Sequence, residues 1–87
     1  MLQMKKCSAS LDLMFQLDVD ALLHLQLPAA WTVDVPNRTL TFHGSVKTNL
    51  TFPQRNADES TVVELYTEGG SFEDIKAASF AFCDVIR

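Results

Sequence analysis

From Cys7 to Leu27 every odd-numbered residue is apolar: Cys7, Ala9, Leu11, Leu13, Phe15, Leu17, Val19, Ala21, Leu23, Leu25 and Leu27. The even positions between them are polar at Ser8, Ser10, Asp12, Gln16, Asp18, Asp20, His24 and Gln26, with Met14 and Leu22 as exceptions. A period of two predicts extended chain with one face on a core and the other in water. The run is too long for one straight strand. At about 3.3 Å per residue it would reach about 70 Å, whereas a domain of this length has a radius of gyration of about 12 Å. The break falls at Asp18-Val19-Asp20, because Asp is depleted in strands and favoured at turns and helix N-caps. Residues 7–17 then form a first strand. Residues 19–27 form a second strand, or a short helix capped by Asp18 and closed by Pro28. The alternation continues through the leucines, which favours the strand. One helix over 10–26 is a poorer design, because Leu13, Leu17, Leu23 and Leu27 would point away from its apolar stripe.

The rest of the chain extends the same reading. Trp31 to Val35 and Arg38 to Phe42 predict a hairpin around Pro36-Asn37, where Pro pre-sets a turn and Asn tolerates left-handed backbone. Leu40, Phe42, Gly44, Val46, Thr48, Leu50 and Phe52 alternate again, and Gly44 suggests a bulge or bend that curls this strand over a core. Residues 53–60 are polar and proline-led, a loop. Thr61 to Thr67 is rich in strand formers and should pair with an earlier strand. After Gly69-Gly70, Ser71 followed by Glu73 and Asp74 marks a helix start. From there Phe72, Ile75, Ser79, Phe82, Cys83 and Ile86 share one face, with Glu73, Lys76, Asp84 and Arg87 opposite. The expected architecture is α+β: a small antiparallel sheet of four to five strands with an amphipathic C-terminal helix packed on one face. The alternative, with 19–27 and 80–86 as strands, is an all-β sandwich or partial barrel.

Eighty-seven residues make a single domain, 1–87, with a thin core. The 47% apolar and 21% charged fractions are those of a globular chain rather than a disordered one. A net charge of −4, with scattered basic residues, disfavours nucleic acid, since phosphate binding needs clustered Lys and Arg. No stretch is long and apolar enough to span a membrane. Lys5 and Lys6 are followed by no apolar signal segment, so the expected location is the cytoplasm. There the sequons at Asn37 and Asn49 carry no meaning, and Cys7 and Cys83 are read as reduced, small apolar residues.

Residues fit for catalysis are sparse. His24 stands among Asp18, Asp20 and Gln26, where a carboxylate could orient it as a general base, but a solvated surface histidine is the simpler reading. His43 precedes Gly44 on the polar side. Cys83 has Asp84 beside it, which disfavours a thiolate nucleophile. Cys7, His24, His43 and Cys83 lack metal-ligand spacing, and Asp12, Asp18 and Asp20 lack the glycine and closing glutamate of a calcium loop. No catalytic, cofactor or metal site is therefore expected. Apolar residues on polar faces point elsewhere: Phe80 lies between Lys76 and Asp84 on the C-terminal helix, and Met14 and Leu22 interrupt the opening alternation. These three are the candidate partner-binding residues of a non-enzymatic, acidic protein-binding module, an inhibitor, adaptor or chaperone-like subunit that binds a protein partner or a second copy. The alternative is a small-molecule or lipid carrier, with an apolar pocket between sheet and helix lined by Trp31, Phe42, Phe52 and Phe82.

Overall fold

The computed structural model describes residues 6–56 and 58–86. The opening alternation forms one sheet edge and then stops. β1 (Lys6–Asp12) pairs antiparallel with β5 (Val62–Glu68), setting Cys7 opposite Thr67, Ala9 opposite Leu65 and Leu11 opposite Val63. The strand is shorter than 7–17 because a bulge ends it. The Leu13 amide donates to the Thr61 carbonyl and the Thr61 amide to the Phe15 carbonyl, while Met14 between them takes φ 64°.

The break near Asp18 is present, and the chain beyond it is helix rather than strand. In α1 (Val19–Leu23) the Asp18 carboxylate caps the first turn, accepting from the Ala21 amide at 3.1 Å. Val19, Leu22 and Leu23 then fall on one helical face and enter the core. Extended chain would have left Leu22 in water. It is instead 3% exposed, which corrects its reading as a surface contact.

β2 (Trp31–Asp34) and β3 (Thr39–His43) form the expected hairpin, with Trp31 opposite Phe42 and Val33 opposite Leu40. The second alternation is not one curled strand. It folds back at 44–46, so that β3 pairs with β4 (Lys47–Thr51) and His43 lies opposite Lys47. Folding back sets Leu40 against Leu50 and Phe42 against Thr48, which keeps both apolar sets on one face. The described residues of 53–60 carry no strand or helix, as expected. The sheet order is β1-β5-β4-β3-β2, with every neighbouring pair antiparallel.

The C-terminal helix α2 (Phe72–Ile86) lies over β1, β5 and β4. No terminal strand forms at 80–86, and the α+β architecture holds. Its buried face is Ile75, Ala78 and Phe82, rotated from the expected one. Phe72 falls outside that face and is exposed. Across the covered face Ala9, Leu65, Leu50, Leu40 and Val33 make one row through all five strands. Phe52 and Phe82 meet above it with ring centroids 5.7 Å apart. The opposite face presents Ser8, Tyr66, Asn49, Thr41 and Thr32 in a polar row.

Candidate functional site

Because α2 covers the β1 half of the sheet, the segment between α1 and β2 must close the other half. It does so incompletely. After α1 the Leu25 amide donates to the Leu22 carbonyl, and the Trp31 amide donates to the Pro28 carbonyl, so the chain wraps round and enters β2. Leu27 and Ala30 pack against the core, while Leu25 remains 56% exposed. Between this segment and the last two turns of α2 lies an open cleft of about 430 Å³, lined by Leu25, Leu27, Pro28, Trp31, Ala81 and Val85, with Asp84 at its side. Trp31 is nearly buried there and is fixed by the Phe42 ring, 5.0 Å away between centroids. It is the only tryptophan in the chain. One helical turn before Asp84 stands Phe80, 69% exposed.

None of the three residues singled out from the sequence lines this cleft; Phe80 stands one helical turn from Asp84, which does. Met14, 83% exposed, belongs to the bulge after β1 and takes no part in the cleft. Leu22 is interior. The signal that was missed is Leu25: its place in the alternation assigned it to the core, and the end of α1 turned it outward. The carrier residues do not line one opening. Phe52 and Phe82 are buried against each other in the interior, whereas Trp31 reaches the cleft.

A second, polar cleft of about 480 Å³ opens between 16–20 and the 53–61 loop. Its two arginines are each matched by a carboxylate. Arg38 lies 3.3 Å from Asp20 and also donates from Nε to the Phe52 carbonyl, and Arg55 lies 3.0 Å from Glu59. Neither cation is left to attract an anion. Nearby, the Asp12 carboxylate accepts from the Met14 amide at 2.9 Å and the Ser60 hydroxyl at 2.8 Å, and its pKa is held below the ordinary value. The Met14 bond is the main cause, followed by Ser60 and then the positive field of Arg55.

The two histidines and Cys83 form no common cluster. His24 donates from Nδ1 to the Asp20 carbonyl at the end of α1. His43 shares a 2.6 Å hydrogen bond with Thr32 on the polar sheet face, away from the side on which α2 carries Cys83. Asp18 and Asp20 belong to the cap and first turn of α1 rather than to a strand face. Among the described residues no group of three or more His, Cys, Asp or Glu could hold a metal ion, and no helix is long and apolar enough to cross a membrane. No protein-family model, no curated protein and no solved structure matches this chain.

Proposed function

We propose that this chain is a non-enzymatic protein-binding module of the inhibitor or adaptor kind. Its partner inserts two or three apolar side chains, flanked by basic residues, into the cleft beside α2. The observation that carries this reading is the exposure of Leu25 in a cleft floored by Trp31, with Phe80 also exposed on α2 one helical turn from Asp84 of the same cleft. Aromatic anchors in a partly desolvated recess are the usual source of binding energy at interfaces. A net charge of −4 favours a basic partner through steering and sign complementarity. The two cysteines are unpaired, which accords with action in a reducing compartment such as the cytoplasm.

Trp31 supplies the readout. A partner captured from host extract is purified, recombined with the pure protein and titrated by tryptophan fluorescence. Each of Leu25→Ser and Phe80→Ser removes about 1 kcal/mol of apolar burial, so the double variant should bind about 30-fold more weakly. A reconstituted partner that binds the double variant as tightly as the wild type overturns the reading. A Trp31 response to a fatty acid, with no protein captured, would favour the carrier alternative instead.

A further inference from the structure

The two edges of the sheet are finished differently. β2 is four residues long, its first residue Trp31 is nearly buried, and Pro36 lies two residues past its end. β1 is seven residues long, fully paired with β5 on one side, and without proline or bulge between Lys6 and Asp12. Edges of this kind are usually blunted by charge, proline or a bulge. Here the bulge at Met14 comes only after Asp12. The core is also open along this edge. Val63, Leu65 and Thr67 on β5 are at most 2% exposed, whereas their β1 neighbours Leu11, Ala9 and Cys7, on the same face, are only half-buried.

We infer that β1 pairs antiparallel with β1 of a second copy, about a twofold axis through Ala9, joining two five-stranded sheets into one. The sequence of the edge selects a copy of itself over an unrelated strand. Cys7-Ser8-Ala9-Ser10-Leu11 reads apolar, polar, apolar, polar, apolar in both directions. Antiparallel self-pairing sets Ser8 opposite Ser10 and Cys7 opposite Leu11, so the half-buried row continues across the join. The same register brings positions 6 and 12, lysine and aspartate in the sequence, across from each other at both ends. Ala9 is the midpoint of Lys6–Asp12, so this register uses the whole strand. A slip of one residue would turn the apolar row into water. Both copies of α2 then lie on one side of the joined sheet. The pairing rests on the edge alone and is independent of the cleft.

Light scattering on the full chain tests it. The wild type is expected to be a dimer at sub-millimolar concentration. Ser8→Lys with Ser10→Lys places like charges face to face on side chains that are exposed in one copy, and should weaken the dimer by more than about tenfold with an unchanged circular-dichroism spectrum. Should that variant not fold, a cysteine pair decides. With Cys7 and Cys83 changed to Ser, Ala9→Cys should cross-link two copies under mild oxidation, and Thr32→Cys on the opposite edge strand should not. A monomeric wild type, a dimer that survives the paired lysines, or an Ala9→Cys variant that stays uncrosslinked overturns the inference. Leu25→Ser and Phe80→Ser leave the dimer intact, so failure at the cleft is distinguishable from failure at the edge.

Discussion

Asp12 joins the end of β1 to the 53–61 loop, because one carboxylate oxygen accepts from both Met14 and Ser60. These contacts hold its folded pKa below the ordinary value near 3.8. A carboxyl that releases its proton more readily when folded adds stability above the unfolded value, and loses that addition as pH falls through the lower folded value. Asp12→Asn keeps an acceptor oxygen and removes the charge. The gap in thermal midpoint between wild type and Asp12→Asn should therefore be widest near neutral pH and close as the carboxylate range is crossed downwards. Arg38 tests backbone strain in the same way. It holds φ 51° at the end of the β2–β3 turn, where a side chain is disfavoured. Arg38→Ala and Arg38→Gly lose the same bonds to Asp20 and Phe52, but glycine relieves the strain. Arg38→Gly should be the more stable by about 1 kcal/mol in urea unfolding.

Among the elements, α2 depends on its first turn. Asp74 accepts from the Ser71 amide at 2.7 Å and the Ser71 hydroxyl at 3.1 Å, filling the place that Glu or Gln takes in the usual capping box. Asp74→Ala removes both bonds and should cost about 1–2 kcal/mol, more than Ser71→Ala, which removes one. Elements with a local signature were legible in the sequence: the Pro36-Asn37 hairpin, the 53–60 loop, the strand at 62–68 and the Ser71 helix start. The break at Asp18 was legible as well, since a 21-residue strand could not fit. The helix beyond the break was not. Val19, Leu22 and Leu23 satisfy helical spacing within a run that also alternates, and residues this close together cannot separate periods of 2 and 3.6. Tertiary burial of all three decided for helix. Residues 40–52 misled for the complementary reason: a tight hairpin leaves alternation intact on both arms, so Gly44 reads as a kink within one strand. Phe80 was visible as an apolar residue on a charged helix face, whereas Leu25 was hidden by the same alternation that hid α1.

On the scale of the whole molecule, one side of one sheet carries the entire buried core of the described residues, and that thinness sets fold and binding in tension. A chain of this size has on the order of 5–10 kcal/mol of stability, so few apolar residues are spared for the surface without a reason. Phe80 and Phe82 sit two residues apart on α2 and separate the two demands. Phe82 is wholly buried against Phe52, between helix and sheet, and Phe82→Ala should cost about 3–5 kcal/mol, enough to bring the protein near unfolding at room temperature. Phe80 lies on the opposite side of the helix axis and is exposed. Phe80→Ser should leave the unfolding free energy from urea titration within about 0.5 kcal/mol of the wild type while weakening partner binding. If Phe80→Ser instead destabilised the fold as strongly as Phe82→Ala, its exposed ring would be a structural element, and the proposed binding surface would be reduced to Leu25 and the cleft it lines.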